Sequence, residues 1–399
     1  MNPTIEKLAI EGGAPVCEKL LPYGRQLIEQ VDIDAVVETL KSDWLTTGPK
    51  VGEFEKAFAD YCGAKFAVAF SSGTAALHAA AHAAGIKEGD EGITTPLTFA
   101  ATSNCILYCG GKPVFADIDP RTLNLDPQLA ERAITSRTKA IFPVDFTGLP
   151  AAMDEFMALG KKHQLVIIED AAHALGATYK GRRTGSIADM TIFSTHPVKH
   201  ITTGEGGVVT TDNEEYFKKL KLFRSHGISS DARERMENGG WYYEMVELGY
   251  NYRITDIQCA LGLSQLKKAE SWVQRRRAIA AIYSKAFRTL PQIETPIDTD
   301  QCESAWHLYV IRLNLAQLKV GRKEFFAALR AENLGVNVHY IPVPHHPYYQ
   351  KLGYTKGQWP HAESTYERCI SLPLFPSMTD KDVQNVVHAV TKVSAAYAK

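Results

Sequence analysis

An acid and an amine stand at the ends of two successive apolar runs. LVIIED (165–170) finishes in Glu169 and Asp170, and DMTIFS (189–194) leads through Thr195, His196, Pro197 and Val198 to Lys199. If both runs are parallel strands, both side chains arrive at the carboxyl edge of a sheet, where such sheets bind their ligands. A carboxylate in a partly desolvated site stays ionised only beside a cation, and a lysine amine in the same surroundings loses basicity, which suits it to imine formation and proton transfer. The protonated ring of pyridoxal phosphate answers both: Asp170 would keep the ring nitrogen charged and Lys199 would carry the aldehyde as a Schiff base. A plain Asp–Lys ion pair tying two strands together fits the same two residues.

A phosphate site is legible separately. The strand KFAVAF (65–70) runs into Ser71, Ser72, Gly73 and Thr74 and then into an alanine-rich helix. Unpaired amides at such a helix start attract an anion, Gly73 admits close approach of the backbone, and Ser72 or Thr74 offers a hydroxyl. Ordinary helix capping explains the same residues. Phe99, in TTPLTFAAT (94–102), is placed to lie flat on a pyridine ring, or to be core. His173, just beyond Asp170, is placed to hydrogen-bond a ring oxygen, or to be a structural histidine. Gly204-Glu205-Gly206-Gly207 predicts a tight turn that keeps the lysine loop compact.

Other chemistries lack their marks. No GxGxxG opens a helix after a strand and no GxxxxGK[ST] is present, which argues against a nicotinamide oxidoreductase or a P-loop enzyme. The seven cysteines are scattered without a CxxC pair, so neither a disulfide framework nor a zinc ribbon is expected, and no metal site is assigned. Lys and Arg (44) balance Asp and Glu (45) to a net charge of −1, leaving no field that recruits nucleic acid or an anionic membrane. No basic helix-turn-helix extension supports a non-catalytic regulator. The start MNPTIEKLAIEGGAPV has no signal-peptide pattern and no stretch is apolar enough to span a bilayer, so a cytoplasmic protein is expected.

The elements that must position these residues follow from periodicity. Short apolar runs alternate with amphipathic stretches between about residues 50 and 210, the pattern of strands joined by crossover helices. A mainly parallel α/β sheet covered on both faces is expected, from KFAVAF, GITTP (92–96), AIFPV (140–144), LVIIED, DMTIFS and GGVVTT (206–211). Asp212 is expected to cap the next helix with Glu215 at the capping-box position. Residues 256–290 are periodic throughout and predict one long helix bridging to a smaller C-terminal α/β unit made of 306–313, a helix near 322–333, 336–343 and a last helix from Asp380. The expected division is an N-terminal segment (1–35), a large domain (36–255), and the bridging helix with a small domain (256–399).

Taken together, LTTGPKVGEFE (45–55), SSGTAAL (71–77), TTPLTFAAT, EDAAHALGATYKGRRTGSIADM (169–190), FSTHPVKHITTGEGG (193–207) and LGYNYRITDIQCALG (248–262) resemble the DegT/DnrJ/EryC1/StrS sugar aminotransferases over nearly the whole chain. The resemblance implies fold-type I, with a seven-stranded-type sheet in the large domain, and a homodimer with active sites at the subunit interface. L-glutamate would be the amino donor and a UDP-linked 4-keto-6-deoxy-N-acetyl-hexosamine the acceptor. By position, Lys199 is similar to the Schiff-base lysine, Asp170 to the pyridine partner, His173 to the residue beside the ring oxygen, and Phe99 to the stacking ring. Ser72, Gly73, Thr74 and Ser194 are similar to the phosphate shell, and Asn251 to an asparagine reaching the cofactor phosphate of the neighbouring subunit. Tyr23, the run Asp43, Trp44, Leu45 and Thr46, and the run Asn337, Val338, His339 and Tyr340 match positions that hold the sugar nucleotide. Thr195 departs from the bulkier residue common in the family, and Pro344-His345-His346 varies beside the substrate segment. One branch of the family has His in place of the lysine and removes a hydroxyl. Here Lys199 is intact and followed by His200, so transamination is expected.

Overall fold

The computed structural model describes residues 6–229, 240–297 and 299–399. The first five residues of the expected N-terminal segment lie outside them. Before residue 230 the helices are α1 (Gln30–Leu40), α2 (Pro49–Cys62), α3 (Gly73–Ala83), α4 (Ala101–Tyr108), α5 (Pro127–Arg132), α6 (Met153–His163) and α7 (Glu214–Arg224). Strands β1 (Phe66–Phe70), β2 (Glu91–Thr94), β3 (Lys112–Phe115), β4 (Thr138–Phe142), β5 (Val166–Asp170), β8 (Met190–Ser194) and β9 (Gly207–Thr211) form one sheet in the order β1-β9-β8-β5-β4-β2-β3. The short strands β6 (Thr178–Tyr179) and β7 (Arg182–Arg183) form a hairpin beside it.

The sheet is parallel except for β9, which runs antiparallel to both β1 and β8. A parallel return needs a long crossover, and the loop between β8 and β9 carries none, so the chain reverses there. This is why Ser194, at the end of β8, pairs with Gly207, at the start of β9. Side chains alternate across the strands. Val68, Phe70, Ile168, Ile192 and Val209 pack under α3, α4 and α7, while Ala67, Ala69, Phe193 and Val208 face the opposite layer with Phe54 and Phe58 of α2. Burial on both faces explains the near-continuous apolar runs.

Three local expectations are corrected. The α7 helix is capped by Asn213, whose Oδ1 accepts from Glu215 N (2.8 Å) and Tyr216 N (3.4 Å), while Asp212 instead accepts the Lys65 amide at 2.8 Å across the sheet edge. The expected long helix is two, Asp256–Leu266 and Ala269–Phe287, broken at Lys267-Lys268. Ser264, Gln265 and Lys268 all bind the fully buried carboxylate of Asp32, at 2.5, 2.7 and 2.9 Å, and that shared anchor holds the chain at the break. Residues 336–343 form no strand. Their ladder is limited to an isolated bridge between Asn337 and Ser371.

Strands β10 (Ile293–Glu294), β12 (Tyr309–Leu313) and β13 (Cys369–Leu372) form a second, antiparallel sheet, and β11 (Cys302–Glu303) joins the β6–β7 hairpin. Its core draws on Tyr283 and Phe287, on Phe325 and Leu329 of the Arg322–Ala331 helix, and on Val383, Val386 and Val390 of the final helix Asp380–Ala396. Leu8 and Cys17 from the chain start are buried in the same core. Among the described residues, no helix is long and apolar enough to cross a membrane.

Candidate active site

The sheet topology gathers its chemistry at one edge. Asp170 ends β5, Ser194 ends the neighbouring β8, and α3 begins directly after β1 on the far side of β9. Gly207 permits this convergence, since a Cβ there would lie 2.6 Å from both Gly73 Cα and Ser72 O, and a Cβ on Gly73 would lie 3.2 Å from Ser194 Cβ. Ser72 caps α3, its Oγ accepting from Ala75 N at 3.1 Å and its carbonyl from Ala76 N at 3.0 Å. The amides of Gly73 and Thr74 precede the first helical bond, and both residues line a cavity of about 420 Å³.

Lys199 reaches the same cavity from a loop knitted by threonines. Thr195 and Thr203 are buried with their hydroxyls 2.6 Å apart, and Thr202 Oγ1 donates to Thr195 O at 3.2 Å. Gly204 takes a positive φ of 81° to turn the chain back, as the glycine-rich run predicts. Thr195, the departure from the family motif, therefore has a structural task that a bulky residue cannot share. Lys199 is half-buried because it lines an open cavity, but protein surrounds its amine densely. That burial lowers the amine to about 8, against the opposing pull of Asp170 and with a smaller push from Arg276.

Asp170 is buried, and burial raises its carboxyl above the ordinary range. Hydrogen bonds from Thr102 Oγ1 (2.7 Å) and Ala172 N (3.1 Å), and the charge of Lys199, act the other way. Since the single proton of Thr102 goes to the carboxylate, the contact of 2.8 Å to Thr98 Oγ1 is donated by Thr98. His173 and His307 lie 4.3 Å apart between ring centroids, and burial first, then the charge of Lys199, holds both well below ordinary histidine basicity. His173 Nε2 is 3.2 Å from Tyr340 Oη, and its Nδ1 is buried without a hydrogen-bond partner.

Ser72, Gly73, Thr74, Phe99, Asp170, His173, Ser194 and Lys199 all line this cavity, and so do Tyr23, His339 and Tyr340. Phe99 is 61% exposed, its ring free to meet a ligand. Asn251 does not line it; it is exposed and bridges to Ser225. Asp43, Trp44, Leu45 and Thr46 also lie apart. Thr46 bridges to Thr255, Leu45 O accepts from Asp256 N at 3.1 Å, and Trp44 lines a different groove beside α2. Asn337 is tied to Ser371, and Val338 packs with Leu308 and Val310. The wall also holds Thr98, Thr102, His196, Val198, Glu205 and His307, to which the sequence reading gave no role. Thr98 and Thr102 are four residues apart in TTPLTFAAT, a spacing that could have flagged them; nothing in the run 306–313 flags His307.

A model of the DegT/DnrJ/EryC1/StrS aminotransferase family matches residues 26–391. The chain belongs to that family. It is a pyridoxal-phosphate-dependent sugar aminotransferase, with the fold-type I architecture of its relatives. It is 49% identical over 376 residues to the spore coat polysaccharide biosynthesis protein SpsC of Bacillus subtilis, covering 94% of this chain and 97% of that one. Among solved structures, Spr1654 of Streptococcus pneumoniae in its pyridoxamine-phosphate form superposes with a TM-score of 0.89 at 35% identity, over 94% of this chain and 99% of that one. The same protein is known in its pyridoxal-phosphate form. PseC of Helicobacter pylori, an aminotransferase of pseudaminic acid biosynthesis, superposes with a TM-score of 0.86 at 35% identity, over 95% of this chain and all of that one (100%).

Proposed function

We propose that this sugar aminotransferase moves the amino group of L-glutamate to C4 of a UDP-linked 4-keto-6-deoxy-N-acetyl-hexosamine, as a UDP-4-amino-4,6-dideoxy-N-acetyl-β-L-altrosamine transaminase does. The observation that carries the chemistry is the meeting, in one cavity, of the Lys199 amine, the Asp170 carboxylate and the free amides of α3. Likeness to PseC along the whole chain, and the motif blocks around Lys199, support the pseudaminic-acid type of substrate. The higher identity to SpsC favours a second reading, another nucleotide keto-sugar of polysaccharide biosynthesis.

The residues fit pyridoxal phosphate. Gly73 and Thr74 amides with the Ser72, Thr74 and Ser194 hydroxyls would take the phosphate, Asp170 the ring nitrogen, Phe99 the ring face, and the orphan Nδ1 of His173 the ring oxygen. When bound, the cofactor supplies an aldehyde for amine exchange and a ring that withdraws electrons. Lys199, with basicity near neutrality, then carries a proton to and from the reacting carbon in both half-reactions. Asp170, fixed by Thr102, holds the proton of the ring nitrogen in place. Tyr23, His339 and Tyr340, which line the same cavity, would hold the sugar.

The working unit is a homodimer in which Asn251 serves the second subunit's cofactor, and residues 43–46 complete the sugar site. Two features support this: Asn251 lies off its own cavity, and Trp241, Met245, Val246 and Leu248, shortly before it in the chain, are large apolar side chains left exposed. Mass spectrometry of products from a panel of UDP- and TDP-linked keto-sugars with glutamate tests the substrate. Amination of the UDP-linked N-acetyl sugar is expected, and exclusive use of another sugar replaces this reading with the second.

A further inference from the structure

Behind the reacting edge lie two acids that the proposed chemistry leaves idle. Asp145 lies three residues beyond the end of β4, next to Val144, which bridges to Asp170, and Glu169 precedes Asp170 in β5; both side chains are fully buried. Strand alternation turns Glu169 away from the cavity that Asp170 faces. The two carboxyls meet each other there, and each has one oxygen, Asp145 Oδ2 and Glu169 Oε1, with no hydrogen-bond donor. Among the described residues, Asp170 from β5, Cys62 from α2 and Cys302 from β11 are titratable groups that act on one or other of them, and none of these three is a cation. Two adjacent carboxylates without a cation cannot both ionise in such a site.

We propose that Asp145 keeps its proton in the folded enzyme and donates it to Glu169 Oε1, and that this acid pair is a positioning device for Asp170. The assignment of donor follows from the other partners. Glu169 also accepts from Thr191 Oγ1 at 2.8 Å and from the Gly185 amide, as a carboxylate should, whereas Asp145 accepts only from Ala151 N at 2.8 Å. Burial pushes Asp145 well above the ordinary range and Glu169 to about 7, in the same order. The positioning follows from the backbone: Asp145 N donates to Asp170 O at 3.1 Å, so Asp145 grips both Glu169 and Asp170 and locks the end of β5 against the end of β4.

The positioning half rests on the role proposed for Asp170; the shared proton does not. In the pyridoxal-phosphate holoenzyme at neutral pH, infrared difference spectra of wild type against Asp145→Asn should show the loss of one buried carboxylic-acid band, and spectra without that loss overturn the pair. Pyridoxal-phosphate affinity is the second readout. Asp145→Asn, whose amide still donates to Glu169, should bind within about twofold of wild type, and Asp145→Ala about tenfold more weakly, the scale of a lost buried donor. Asp145→Ala binding as tightly as wild type, or Asp145→Asn as weakly as Asp145→Ala, overturns the positioning role. Asp170→Asn measured alongside reports on Asp170 itself, and the infrared result stands on the Asn variant even if Asp145→Ala does not fold.

Discussion

Thr102 Oγ1 donates to Asp170 Oδ2 at 2.7 Å, a bond that joins α4 to the end of β5 inside a site closed to water on that side. Thr98 stands behind it at 2.8 Å, so a chain of two hydroxyls points its protons at one carboxylate oxygen. Burial alone would favour the neutral acid; this chain and the Ala172 amide favour the charged one. The balance matters because Asp170 serves a cationic ring only as a carboxylate.

Thr102→Val removes the donor while keeping the shape. The expected result is a carboxyl shifted further upward, weaker pyridoxal-phosphate binding and a turnover number lower by about tenfold with the KM for glutamate little changed, and a loss of about 1–3 kcal/mol in stability. Thr102→Ser should restore most of the rate. Steady-state kinetics and denaturant unfolding of the three proteins check this, and a valine variant with wild-type turnover would remove Thr102 from the site.

Lys199→Ala should keep the fold and lose the covalent link to the cofactor. Borohydride reduction followed by intact-mass measurement should show the cofactor's added mass on wild type and none on the variant. Turnover should fall by at least about 10³-fold, in the range of lost nucleophilic and acid–base groups. A variant that still transaminates at full rate would sink the assignment.

Much of this site was legible before the fold was known, for identifiable reasons. Strands buried on both faces wrote Asp170 and the Lys199 loop as polar ends to apolar runs, and the glycines at 73 and 204 marked a close approach and a turn. The break at Lys267-Lys268 was not legible, because it is set by Asp32, far away in the chain, and no glycine or proline marks it. The same holds for Asp145 with Glu169: their meeting depends on the parallel pairing of β4 and β5, which no local pattern records. Strand β13 was missed because its four residues follow a helix directly and its ladder is made with the distant β12, beside a single bridge from Ser371 to Asn337.

Gly207→Ala tests the convergence of β9, β8 and α3. The added methyl would meet backbone atoms of Ser72 and Gly73 at 2.6 Å, and backbone cannot swing aside as a side chain can. Overpacking of this kind costs about 1–3 kcal/mol. Because the strain falls on the start of α3, phosphate affinity should fall along with stability, whereas Gly52→Ala, on the open side of α2, should leave cofactor binding unchanged.

Glu332 is fully buried and accepts from Ala9 N (2.9 Å), Val16 N (2.9 Å) and Lys392 Nζ (3.0 Å), tying the chain start to the final helix. Glu332→Ala leaves the Lys392 charge buried and unpaired, which should cost about 3–5 kcal/mol by denaturant unfolding. The double variant Glu332→Leu/Lys392→Met should lose much less, because no charge is then stranded.

The lowered basicity of Lys199 has a measurable consequence in the protein stripped of cofactor. The folded amine titrates at about 8 and the unfolded one at its ordinary 10.5, so between those values the unfolded chain binds one more proton than the folded one. Stability contributed by this group is therefore absent below about 8 and grows as the pH rises toward 10.5. Unfolding of the apo-protein followed across that window should show a steeper rise, or a shallower alkaline fall, than Lys199→Met, in which the titrating amine is gone. Identical slopes for the two proteins would mean that the amine is solvated like any surface lysine. Its capacity to act as a base near neutral pH would then have to come from the bound cofactor alone.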